Sequence, residues 1–192
     1  IPERAASDGC GWPVALEIPT ASDWRSGYYE IALVSDAGRV AHEAVAFFVV
    51  RSATPDPDRP LLALCTNTYN AYNDVGGRNL YEGGTQVSFL RPLAKGLLRK
   101  PDGPGSRVTV LEPPDPGMRA HVGYLRAHQF TQWGGSAGWP NYELPFVRWA
   151  ERNGYQLDYA VNADLEDPAI LADRRVYLSV GHDEYWSGPM RD

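Results

Sequence analysis

The chain has 192 residues, 43% hydrophobic and 22% charged, ordinary globular usage that excludes a disordered or fibrous class. Its 18 Lys and Arg are scattered and outnumbered by 24 Asp and Glu, and a net charge of -6 excludes a surface built to bind nucleic acid. No apolar run approaches the roughly 20 residues that span a bilayer, so a soluble protein away from the membrane is expected, with its compartment left open.

The start, Ile1-Pro2-Glu3-Arg4, has neither an initiator Met nor an apolar leader, so the chain is expected to be a piece of a longer protein. The first unit in chain order is a β-hairpin over 27–50. Gly27 to Val34 and Ala41 to Val50 flank the turn-forming Ser35-Asp36-Ala37-Gly38. A lone hairpin is marginal in water, so 1–50 reads as the end of a β-sandwich-like module, or else the hairpin packs on the next domain. Residues 51–60 hold three prolines and no apolar periodicity, the composition of a stiff linker. The run Leu61 to Thr66 is apolar without alternation, as a strand buried on both faces is, and an α/β domain starts there. Cys10 and Cys65 lie far apart and outside any close-spaced ligand motif, so one exposed and one buried thiol are expected rather than a pair.

From Asn67 to Pro140 the sequence is rich in Gly, Pro, Asn and aromatics, with a short strand expected at Arg107 to Leu111 and a helix signal at Leu93 to Arg99. Regular pattern returns with an amphipathic helix carrying Leu144, Phe146, Val147, Trp149 and Ala150. Asn141 is placed to cap it and Asn153-Gly154 to stop it. Tyr155 to Val161 reads as a strand, Asp164 as a capped turn, Ala169-Ile170-Leu171 as a short helix and Val176 to Val180 as a further strand. Alternating strands and helices predict a doubly wound, mostly parallel α/β sheet, whose ligands bind beyond the carboxyl ends of the strands. The end at Asp192 would cut this domain short.

Two segments lie at such ends. Asn67 to Tyr81 combines Tyr69, Tyr72 and Tyr81 with Gly76-Gly77, whose backbone freedom can turn the tyrosines back over the sheet edge; the alternative is a packing loop. Gly181-His182-Asp183-Glu184-Tyr185-Trp186-Ser187 follows the last strand. In extended chain His182 and Glu184 project to one face and Asp183 to the other, which makes a base pair or ligand pair, with a charged surface turn as the bland alternative. Ser187 is placed to cap a following helix. His121, His128 and Gln132-Trp133 are weaker candidates. Gly134-Gly135-Ser136-Ala137-Gly138 has the outline of a nucleophile elbow but follows Gln132-Trp133 rather than an apolar strand, and reads as a loop.

Several of these runs are shared with a known family. Ala71-Tyr72-Asn73-Asp74-Val75-Gly76-Gly77 with Leu80-Tyr81, Phe89-Leu90-Arg91-Pro92, Glu143-Leu144-Pro145-Phe146 and Gly181-His182-Asp183-Glu184-Tyr185-Trp186 resemble the large (beta) subunit of N,N-dimethylformamidase and its relatives. The resemblance implies a glutamine-amidotransferase or flavodoxin-like α/β domain and a mononuclear iron held by two tyrosines and one glutamate. It also implies hydrolysis of a small linear amide to acid and amine. Glu184 takes the glutamate's place, His182 that of a neighbouring histidine, and Tyr72 that of one tyrosine. The second tyrosine falls on Tyr124, with Tyr81 and Tyr69 as nearer alternatives. A small subunit and homo-oligomers are implied as partners of the full-length protein.

Phenolate and carboxylate are hard anionic donors that suit oxidised iron. A non-catalytic or carbohydrate-associated relative keeping the fold without the site is a second reading. A glutamine-amidotransferase is a third, which needs a nucleophilic Cys on a strained elbow after a strand, whereas Cys65 lies within its strand without the glycine-flanked elbow.

Overall fold

The structure is a computed structural model that describes residues 1–35, 42–100, 125 and 127–192. The expected strand at Arg107 to Leu111, as well as His121 and Tyr124, lie outside the described residues.

Strands β1 (Gly27–Ser35) and β2 (His42–Val50) form an antiparallel hairpin in the register Tyr28↔Val49 and Ser35↔His42. One face of it is stacked aromatics: Tyr28 lies flat on Trp139 at 4.1 Å and against Phe47 at 5.3 Å. Tyr28, Phe47 and Val49 thereby join the core built around Leu62, Leu64, Tyr69, Val147 and Tyr159, which supplies the neighbour that a lone hairpin lacks.

β3 (Leu61–Leu64), β4 (Asp158–Val161) and β5 (Tyr177–Ser179) form a parallel sheet in the order β4-β3-β5. Every residue of β3 is buried, as its unbroken apolar run requires of a central strand covered on both faces. The described residues thus hold one antiparallel and one parallel sheet with a few helices, a small α/β arrangement.

Helix α1 (Ala5–Asp8) lies before the hairpin. Helix α2 (Thr66–Tyr72) leaves β3 after Cys65, where the sequence had read as loop. Helix α3 (Glu143–Arg152) buries Glu143, Val147 and Ala150 along one face and stops at Asn153 and Gly154, the latter at φ 80°. Asn141 does not cap α3. Its side-chain amide donates to the carbonyls of Gly134 and Ala137, and Tyr142 holds the cap position without a side-chain bond.

No helix forms at Leu93 to Arg99. Leu97 and Leu98 are buried, but Gly96 at φ 107° breaks any helical path. The short helix expected at Ala169-Ile170-Leu171 is a 3-10 helix, Pro168–Leu171, capped by the Asp167 side chain at the Ala169 amide. Helix α4 (Gly188–Arg191) follows Ser187, which holds its N-cap position as expected while its hydroxyl donates to Glu166. Cys10 and Cys65 are both free and both buried, at 7% and 1% exposure, so the expected exposed thiol is absent.

Candidate functional site

Because β3 and β5 are parallel, the chain leaving each of them emerges at one edge of the sheet. α2 after β3 carries Tyr72, and residues 180–187 after β5 carry His182 and Glu184. Polar contacts lock the two together. The Asn67 side chain donates to the Tyr185 carbonyl at 2.8 Å, and the Glu184 amide donates to the Thr68 hydroxyl at 3.3 Å. Asp183 faces the other way, accepting from Asn162 at 3.1 Å and Ser179 at 2.7 Å, and so braces the turn.

Five polar side chains meet there, those of Tyr72, Tyr81, His182, Glu184 and Tyr185. The Tyr81 hydroxyl donates to Glu184 Oε1 at 2.6 Å, and Tyr185 donates to the Tyr81 oxygen at 2.7 Å. His182 Nε2 lies 3.0 Å from the same Glu184 oxygen. Tyr72 stacks on Tyr81 at 4.3 Å and lies 5.4 Å from the His182 ring, centroid to centroid. Trp133 walls the group, 5.6 Å from Tyr72 and 5.5 Å from Tyr81. Gly76 and Gly77, at φ 87° and 88°, make the reversal that returns Tyr81 over Tyr72. Tyr69 is turned elsewhere: its hydroxyl is donated to Glu143 at 2.7 Å beneath the sheet edge.

His182 Nδ1 sits 2.8 Å from the carbonyl oxygen of Ser136. A carbonyl only accepts, so Nδ1 carries a proton, and the 3.0 Å contact between Nε2 and Glu184 needs one more. The pair therefore shares a proton, as imidazolium with carboxylate or as imidazole with carboxylic acid. Burial tends to raise the Glu184 pKa, but donation from Tyr81 and the neighbouring His182 outweigh it, leaving the carboxyl below its ordinary value and ionised at neutral pH. Burial and the Glu184 carboxylate push Tyr81 far above the usual phenol range, and burial also raises Tyr72. Both phenols stay protonated at neutral pH unless a cation replaces the proton.

The weaker candidates separate. His128 is exposed on a turn away from these side chains, whereas Trp133 and the 134–138 loop belong to the site, the latter through the Ser136 carbonyl. A cleft of about 500 Å³ opens beside Glu184, walled by Ala71, Leu80, Val87, Phe89 and Trp186.

Gly181 starts the site turn at φ 89°, and a methyl group there would overlap the Tyr142 ring. Gly181→Ala is expected to destabilise the fold by roughly 2–4 kcal/mol, from the left-handed backbone and the overlap together. Urea denaturation checks this, and a change within 0.5 kcal/mol would show that the turn is not held as described.

Among the described residues no three His, Cys, Asp or Glu side chains form a metal-binding group, and the convergent donors are phenols with one carboxylate. No described helix is long and apolar enough to cross a membrane. Compared with models of protein families, residues 1–192 match the family described as N,N-dimethylformamidase beta subunit-like, C-terminal. A comparison with curated proteins finds no match.

Proposed function

Since the chain belongs to the N,N-dimethylformamidase beta subunit-like family over residues 1–192, we propose that it carries the catalytic residues of an amidohydrolase acting on small linear amides. The observation that supports this most is the convergence of Tyr72, Tyr81, His182 and Glu184 beyond the ends of parallel strands. We also read the sheet as part of a doubly wound, glutamine-amidotransferase or flavodoxin-like domain beginning at 61, joined by 51–60 to a β-sandwich-like module. A small subunit and a homo-oligomeric assembly complete the proposal for the full-length protein.

Oxidised iron fits the donor set, since phenol and carboxylate oxygens are hard donors and convergent. Tyr72 and Glu184 would hold it, with the second phenol from Tyr81, already bonded to Glu184, or from Tyr124, which lies outside the described residues. The iron would supply a Lewis acid able to polarise an amide carbonyl.

The chain's own residues do the rest. The cleft walls, Leu80, Val87, Phe89 and Trp186, take the alkyl groups of the amide and limit water around it. With Glu184 engaged as a ligand and the proton it shares with His182 released, Nε2 of His182, oriented by the Ser136 carbonyl, is free to take a proton from the attacking water and return it to the leaving nitrogen. Water adds to the carbonyl carbon, the C–N bond breaks, and acid and amine leave.

The test is the full-length protein purified from iron-supplemented medium and assayed for metal and for hydrolysis of N,N-dimethylformamide. Stoichiometric iron and turnover support the proposal. A metal-free protein that stays inactive on iron addition would favour the non-catalytic relative. Tyr72→Phe is expected to strip the metal and abolish any visible tyrosinate absorption. Comparing that band in Tyr81→Phe and Tyr124→Phe identifies the second phenol, because its loss bleaches the band and loss of the other does not.

A further inference from the structure

Glu143 is a charged residue with no surface. It is 1% exposed, at the start of α3, on the face that also buries Val147 and Ala150. Its Oε1 accepts from the Tyr69 hydroxyl at 2.7 Å and from the backbone amide of Cys65 at 3.3 Å. The Cys65 thiol in turn donates to the Val180 carbonyl at 3.5 Å. Cys65 is the residue between β3 and α2, Tyr69 lies one turn before Tyr72 on α2, and Val180 precedes the Gly181-His182-Asp183-Glu184 turn. One buried carboxyl therefore touches, directly or through Cys65, the segment that carries Tyr72 and the one that leads into the His182–Glu184 turn.

We propose that Glu143 is the positioning residue of this site: through Tyr69 and the Cys65 amide it fixes the start of α2, and with it the Tyr72 phenol against His182 and Glu184. Three features support a role beyond filling space. An apolar side chain would pack the Val147–Ala150 face as well, yet a carboxyl stands there with every donor pointed at one oxygen. α2 is seven residues long and rich in Thr and Asn, too short and too poor in helix formers to hold itself. The N-cap residue's own side chain does not cap its amino end, which is held from outside the helix by Asn162 at the Asn67 amide and by Glu143 at the Cys65 amide.

Among the described residues, the groups that face Glu143 are Tyr69 from α2, Cys65 from the β3–α2 junction and Tyr28 from β1, none of them basic. The carboxyl is thus an acceptor for the backbone and a phenol rather than half of an ion pair.

This inference rests on the amidase proposal only for its kinetic arm. In full-length protein labelled with 3-fluorotyrosine, the Tyr72 resonance is assigned by its loss in Tyr72→Phe. Tyr69→Phe preserves packing and removes one bond; it is expected to displace the Tyr72 resonance and to lower kcat about 10-fold, with KM within about twofold. Glu143→Ala is expected to do both more strongly, with kcat down about 100-fold. Glu143→Gln keeps the accepting oxygen and should return resonance and kcat to near wild type. An unmoved resonance in Tyr69→Phe, or a Glu143→Gln variant as impaired as Glu143→Ala, would overturn the proposal. A wild-type protein without hydrolysis would count against the amidase alone, since the resonance still reports where Tyr72 sits.

Discussion

Glu184→Ala in the full-length protein is expected to lose its iron and at least about 10³-fold of its amide hydrolysis together. Glu184 Oε1 is the common acceptor of Tyr81 at 2.6 Å and His182 at 3.0 Å, so truncation removes a proposed ligand and unties both neighbours at once. Glu184→Asp shortens the reach but keeps an ionised oxygen, and should retain weak metal binding. His182→Ala separates the roles. Its ring is oriented by the Ser136 carbonyl and lies beside the phenols without replacing their oxygens. Its loss should leave most of the iron in place and lower turnover by about 10²–10⁴, the scale of lost acid–base catalysis. Metal analysis beside kcat for the three variants decides the matter: a Glu184→Ala protein that keeps full iron would remove Glu184 from the ligand set.

The second large effect concerns stability. Burial pushes the Glu143 carboxyl from 4.5 up to about 7, although bonds from Tyr69 and the Cys65 amide pull against the shift. Below 4.5 the group is neutral whether folded or unfolded, and its contribution is complete. As the pH rises toward 7 the unfolded chain ionises first, so the folded state loses ground, and above that value it bears a buried charge. The loss amounts to about 3 kcal/mol across this range. Glu143→Gln has nothing to titrate. Its stability relative to wild type should therefore improve by about that amount between pH 4 and pH 8.5, read from chemical denaturation at each pH. Other acids titrate in both proteins and cancel, so a difference that stays constant across the range would sink the assignment.

Strands β3, β4 and β5 and helix α3 could be read from the sequence because packing there obeys local pattern. Leu61 to Leu64 is apolar throughout, and Val147 and Ala150 fall at helical spacing. α2 could not. Thr66-Asn67-Thr68-Tyr69-Asn70-Ala71-Tyr72 has few helix formers, and contacts distant in sequence hold it instead: Asn162 accepts from the Asn67 amide and Arg91 donates to the Asn70 carbonyl. The converse failure is Leu93 to Arg99, where leucines at promising spacing are buried but Gly96 sets a different backbone path.

At the site, period-two alternation was enough to place His182 beside Glu184 and Asp183 away from both. It was silent on Tyr69, which the same motif carries but Glu143 draws beneath the sheet edge. A sign of Glu143 was present in the sequence, since 143, 147 and 150 share one helix face and a lone acid on an apolar stripe needs a partner.

The Ser26 hydroxyl donates to the Val50 carbonyl and accepts from the Tyr159 amide at 2.8 Å, stitching the end of β2 onto β4. β4 is the outer strand of the parallel sheet, and an outer strand with open amides is a template for pairing with foreign chains. Here one such amide is already spoken for by a side chain, and the hairpin lies alongside. The hairpin thus protects against aggregation as well as closing the core. Ser26→Ala would reopen that amide with almost no loss of packing, so its mark would be self-association on storage rather than a lower melting point, and dynamic light scattering would register it. Within the parallel sheet the opposite outer strand is β5.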